Sequence, residues 1–209
     1  MEFSDVVRRR HMVRRYDADR PVPPDALRAC LDHAVRAPSA GFSQGWDFVV
    51  LDDPADLARF WAATTEEDEE EDHWLVGVRA APVLVVCCSD KEAYLDRYAA
   101  PDKGWTDRDE ARWPVPYWDI DTGMAALLML LTAVDQGLGA LFFGVPPECH
   151  DDVHEAFAIP RDRAIVGVVA LGYEVPGPKS PSLRRRRRGV DQVVHWGRFG
   201  EHRSAVPAE

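Results

Sequence analysis

Apolar positions along the chain fall into runs with two different periods. Leu27, Cys30, Leu31, Ala34 and Val35 repeat at helical spacing, so a helix is read there, with Pro38 as its stop. Trp46–Leu51 (WDFVVL) reads as a strand, and Pro54–Ala63 opens a second helix with Leu57, Phe60 and Trp61 on one face. Pro82–Cys88 (PVLVVCC) and Ala164–Leu171 (AIVGVVAL) are continuous apolar runs, as expected of strands covered on both faces. Asp119–Gln136 is apolar nearly all round, so it predicts a helix buried on several sides, which a dimer interface would accomplish most naturally. Gly137–Val145 (GLGALFFGV) leaves that helix through a glycine cap and becomes a strand. Short helices are expected at 4–10, with Ser4 as N-cap, and at 151–158. Residues 64–79, around the acidic run Glu66–Asp72, read as a solvated, mobile stretch. Residues 89–118 read as irregular and aromatic-rich, and the tail from Tyr173 as loop until Val190–Trp196.

The alternation of helices and strands implies an α+β or α/β layered domain, without fixing the strand order. At 209 residues the chain fits one domain, 1–209, with 64–118 as its variable part. Hydrophobic residues are 46% of the chain, enough for a core. No run of eighteen uncharged apolar residues occurs and Met1–Arg10 has no apolar signal region, so no membrane span, no secretory signal and a cytoplasmic protein are expected. Cys30, Cys87, Cys88 and Cys149 form no CxxC pair and read as reduced thiols, with Cys87 and Cys88 on opposite faces of a strand. A net charge of −11 argues against nucleic-acid or anionic-membrane partners.

Four segments could carry chemistry. Arg8–Arg15 (RRRHMVRR) offers planar guanidinium forks suited to phosphate, so that Arg10, His11 and Arg14 could converge on one anion; it also reads as a solvated basic helix end. Ala37–Trp46 (APSAGFSQGW) is a tight loop whose amides and Ser39 hydroxyl could bond a planar heterocycle, or an ordinary connection. Gly137–Val145 permits close backbone approach, or merely caps the helix. Arg184–Arg188 is a further anion-binding candidate or a solvated charge run. No dinucleotide, Walker or nucleophile-elbow motif is present, nor any zinc-spaced His/Cys cluster. His150 and His154 lack a third ligand and read as a surface helix pair, so no metal and no catalytic side chain are assigned.

Taken in order, the arginine turn, the APS…QxW loop, the GLGxxxxG strand after a long apolar helix and the late arginine pair resemble the FMN-dependent nitroreductase superfamily, over about residues 3–196. The resemblance implies an α+β fold, a central mostly antiparallel sheet flanked by helices, and an intertwined homodimer with FMN at the interface. It implies that Arg10 holds the phosphate, that His11 and Met12 belong to the same turn, and that Arg14 lies near flavin N1 and O2. Pro38, Ser39, Ala40 and Phe42 match the loop along the ring edge, from the partner chain. Phe143, Gly144 and the Val145 amide match the strand facing N5, and Arg185 and Arg187 the C-terminal phosphate clamp. Met12 stands where most members have Ser or Thr, Phe42 where many have Asn, and Gly45 where proline is usual, which would loosen the loop. The implied activity is ping-pong reduction of nitroaromatic, quinone or similar electron-poor molecules by NADPH or NADH, with residues 94–118 as a lid. Two alternatives are a flavin- or deazaflavin-binding storage protein and a 5,6-dimethylbenzimidazole synthase-like enzyme, a family that shares the Gly41–Trp46 pattern but carries an acid at Met12.

Overall fold

The structure, a computed structural model, describes residues 1–65, 73–177 and 185–202. The acidic run 66–72 and Arg184 lie outside the described residues. One compact unit is Met1–Val175, and a second begins at Pro176.

The first unit is built on a four-stranded sheet in the order β1 (Trp46–Leu51), β2 (Val83–Asp90), β4 (Arg163–Gly172), β3 (Gly139–Phe143), with every pairing antiparallel. Both faces are covered, which is why the two central strands are apolar without alternation. One face of β2 and β4, with Val83, Val85, Cys87, Val169 and Leu171, packs on α2 (Pro24–Ala34) and α6 (Tyr117–Asp135). The other, with Leu84, Val86, Cys88, Val168 and Ala170, meets α3 (Pro54–Thr64), α4 (His73–Arg79) and α7 (His150–Ala156). Cys87 and Cys88 therefore face opposite layers as expected, although a register shift lies between them. Each fully buried Leu or Val contributes about 1.5–3 kcal/mol, so the two layers hold the sheet from both sides.

Helix α6 is long and apolar enough to cross a membrane, yet Ala125, Ala126, Met129, Leu130 and Ala133 are packed into the core. Ile120 and Leu127 remain 43% and 46% exposed on its outer side, where α1 (Phe3–Arg9) covers only part of it. In the second unit, α8 (Val190–Val193) is the helical turn, and Arg188 donates to the Gln192 carbonyl at 3.0 Å.

Several local expectations need correction. Glu2, not Ser4, is the N-cap of α1, and no side chain caps it. Residues 73–79 form a helix because Leu75 and Val78 find the α3 layer. Lys91–Ala99 is a further helix, α5, capped by the Asp90 carboxylate, which accepts from the Ala93 amide. His150 and His154 are not a surface pair. His154 is buried and bonds the Ile159 carbonyl, and His150 bonds the Val145 carbonyl at 3.2 Å.

Candidate functional site

The arginine turn is laid against the free edge of the sheet. Met12 bridges Ala140 in parallel, the Val13 amide donates to the Ala140 carbonyl at 2.9 Å, and Tyr16 bridges Glu174 beyond β4. The approach is close enough that a Cβ on Gly139 would lie 2.8 Å from Val13, which gives that glycine its reason. The Met12 side chain packs into both core layers, so it supplies no polar contact. Its carbonyl accepts from Arg14 Nη1 at 3.1 Å, which fixes the partly buried guanidinium. Among the described residues neither Arg10 nor Arg14 has a carboxylate partner. His11 differs: Nδ1 faces the Arg9 carbonyl at 2.9 Å and Nε2 the Glu174 carboxylate at 2.9 Å. Both contacts, the Arg9 carbonyl first, hold its pKa above the usual imidazole value.

The second part is the loop between α2 and β1. Gly41, Phe42 and Gln44 all take positive φ, so the chain folds back on itself. The Ser39 hydroxyl accepts from the Gln44 amide at 3.0 Å, and Ser43 donates to the Ala40 carbonyl at 2.7 Å. Pro38 is exposed at the loop's start, and Phe42 stands 76% exposed at its tip. The loop is not loosened at Gly45: that residue is buried, and its carbonyl accepts from the Asp90 amide at 3.0 Å. A Cβ there would sit 2.5 Å from the Tyr94 ring.

The third part is the far end of β3. Phe143 stacks on Trp61 at 6.0 Å with an 8° interplanar angle and turns into the core, so its side chain faces away from the edge. Gly144 is exposed with open space where a Cβ would be, and Val145 is buried. The fourth part, Arg185 and Arg187, belongs to the second unit, where both are exposed.

Within one chain the arginine turn and the Ser39 loop lie at diagonal corners of the sheet. Met12 is beyond β3 at the level of Leu171 and Val83, whereas the loop enters β1 at the level of Ser89. Four strand spacings, about 19 Å, and six residues of strand, about 20 Å, separate them. Residues 94–118 form a packed aromatic cluster centred on Trp113, with ring centroids 4.6 Å from Tyr98, 5.9 Å from Tyr94, 5.7 Å from Tyr117 and 6.0 Å from Trp118.

A profile of the Nitroreductase family matches residues 7–173. The chain belongs to this family. It is 31% identical over 207 residues to an NADH dehydrogenase of Thermus thermophilus, covering 90% of this chain and 92% of that one. It is 30% identical over 222 residues to a 4-nitrobenzoate reductase of a Nocardioides species, covering 92% and 88%. Among solved structures, a nitroreductase family protein of Clostridium difficile superposes with a TM-score of 0.70 at 22% identity, over 95% of this chain and 100% of that one. A family structure from Exiguobacterium sibiricum, solved in complex with FMN, gives 0.70 at 21% identity, over 94% and 97%. The fold is thus the nitroreductase fold, as the sequence motifs imply.

Three site residues carried no motif. Asp121 of α6, Tyr94 of α5 and His150 of α7 hold the loop and the Val145 carbonyl from behind. The signal in the sequence is Asp121 itself, a carboxylate on the buried stripe of a mostly apolar helix.

Proposed function

We propose that this nitroreductase-family protein is an FMN-dependent NAD(P)H oxidoreductase acting as a homodimer. The observation that carries the reading is the pair of guanidiniums, Arg10 and Arg14, held on the edge of β3 with no carboxylate to neutralise them among the described residues. Such a pair suits a phosphate and a developing negative charge. The edge it occupies ends in Gly144, whose missing side chain leaves room for a flat ring to approach the backbone. The residues therefore fit FMN.

In this reading Arg10 binds the phosphate, with His11 and Met12 shaping the turn, and Arg14 stabilises charge at the ring's pyrimidine end. Pro38, Ser39, Ala40 and Phe42 line the ring edge, and the backbone of Phe143 and Gly144 with the Val145 amide faces its reactive side, the Phe143 ring itself being turned into the core. Arg185 and Arg187 are assigned to phosphate binding by the motif resemblance alone. FMN would supply the redox chemistry, taking hydride from NADH or NADPH and passing it to a nitroaromatic, quinone or similar acceptor in a second half-reaction. No side chain is given a proton-transfer role. The diagonal placement argues for the dimer: about 19 Å across and 20 Å along one sheet exceeds the length of an extended FMN. One site thus takes its arginine turn from one chain and its loop from the other. The buried thiols Cys30, Cys87 and Cys88 suit a reducing, cytoplasmic setting.

The test is cofactor titration followed by anaerobic mixing with NADH and NADPH. Uptake of FMN with quenched flavin fluorescence, bleaching by a reduced nicotinamide and recovery with a nitroarene are expected. Arg10→Ala should weaken FMN binding at least about tenfold, the loss of one charge-assisted contact. A protein that takes up no FMN overturns the proposal. One that binds FMN and never bleaches is a flavin carrier instead.

A further inference from the structure

The loop around Ser39 is held by a buried carboxylate that none of the motifs includes. Asp121 is 2% exposed, on the sheet-facing side of α6. Its Oδ2 accepts two hydrogen bonds, from the Ala40 amide at 2.8 Å and from the Tyr94 hydroxyl at 2.8 Å. No cation pairs with it among the described residues. A buried carboxylate without a cation is costly, and an asparagine or an apolar residue would fill the same space. Its two donors show what it does there: it joins the N-terminal turn of the loop to α5 through one atom.

Helix α5 grips the loop at three further points. Arg97 Nε donates to the Gly41 carbonyl at 2.8 Å, while its two terminal nitrogens hold Asp102 at 2.8 and 2.7 Å. The Tyr98 ring closes on Gly41, where a Cβ would lie 2.7 Å away, and the Tyr94 ring closes on Gly45. Gly41 and Phe42 adopt left-handed conformations that cost energy for a phenylalanine and persist only when the surroundings impose them. The Ala40 amide is the first donor inside this turn, so the carboxylate that receives it sets the direction of the amides that follow.

We infer that Asp121 is a positioning residue for the cofactor site: with Tyr94 it clamps the Ala40 amide and so presets the Ser39–Phe42 loop to receive the flavin ring. This rests on the proposed flavin function. The clamp acts before any ligand arrives, so it sets affinity by preorganisation rather than by contact.

The experiment compares wild type, Asp121→Ala, Asp121→Asn and Tyr94→Phe by two readouts. The first is hydrogen exchange at residues 40–45 in protein freed of flavin. The second is the FMN dissociation constant by fluorescence quenching, with circular dichroism to verify folding. Asp121→Ala should speed exchange of the loop amides and weaken FMN about tenfold or more, since a charged acceptor with two donors is lost. Tyr94→Phe leaves the Ala40 bond in place and should weaken FMN by only about threefold. Asp121→Asn keeps an oxygen that can accept both donors and should recover most of the exchange protection and affinity. If folded Asp121→Ala binds FMN as tightly as wild type, the inference is overturned while the function stands. If Asp121→Asn is as weak as Asp121→Ala although its loop amides stay protected, the clamp does not act by placing the loop, and the inference is again overturned. A wild type that takes up no FMN overturns the functional reading instead, whatever the exchange data give.

Discussion

Single residues in the site are constrained more by the backbone behind them than by the ligand they would meet. Gly45 is the sharpest case, since a methyl group there would meet the Tyr94 ring at 2.5 Å and the Asp90 carbonyl at 2.6 Å. Gly45→Ala should lower stability by about 1–3 kcal/mol, measured by urea unfolding, because a backbone carbonyl cannot swing aside as a side chain can. His11 has a different constraint. Both ring nitrogens face acceptors, the Arg9 carbonyl and the Glu174 carboxylate, so the doubly protonated ring fits best. Its folded pKa is raised above the ordinary 6.5, with Arg10 acting in the opposite direction. A raised value means that this stabilisation is fully present below about pH 6.5 and fades as pH climbs through the folded value. Titrating the His11 ring protons by NMR should give a lower midpoint in Glu174→Gln than in wild type; equal midpoints would remove the ion pair from the account.

At the scale of elements, what could be read from sequence was whatever the core dictates. The strands Val83–Asp90 and Arg163–Gly172 contain apolar runs that only a doubly covered sheet can bury, and WDFVVL reads as the strand Trp46–Leu51. The helix Tyr117–Asp135 follows from composition alone. Helices α4 and α5 leave no periodic pattern because their stabilisation is tertiary or local: Leu75 and Val78 pack with Phe60 and Trp61 of α3, and a short charged helix leans on its cap. The cap is Asp90, the last residue of β2, directly before Lys91. Asp90 also meets Arg163 at 3.0 Å. Asp90→Ala should therefore cost about 1 kcal/mol or somewhat more, seen as a lower Tm, because α5 loses its N-terminal acceptor. Since α5 carries Tyr94 and Arg97, the same change should reach the Ser39 loop. The turn at 10–14 and the loop at 38–45 are legible as motifs; that Asp121 stands behind the loop is not, because a contact between residues 81 positions apart leaves no local pattern.

At the scale of the whole molecule, the sheet order decides how a site can be assembled. With β1 and β3 at opposite edges, the arginine turn and the Ser39 loop of one chain lie at different places. A mixed dimer tests this directly, with Arg10→Ala in one chain and Asp121→Ala in the other. Sites shared between chains would leave half of them intact and half doubly damaged, so FMN should fill half the sites at wild-type affinity. If each chain built its own site, every site would carry one lesion and none would bind normally. The same sheet separates two thiols. Cys87 looks into the α2–α6 layer and Cys88 into the α3–α7 layer, and burial raises both, Cys88 to about 12. An alkylating reagent finds neither thiolate until a layer has lifted, and finds both only when the two have gone. Adjacent in sequence, these cysteines are a native chemical clock that can time the release of each half of the protein separately.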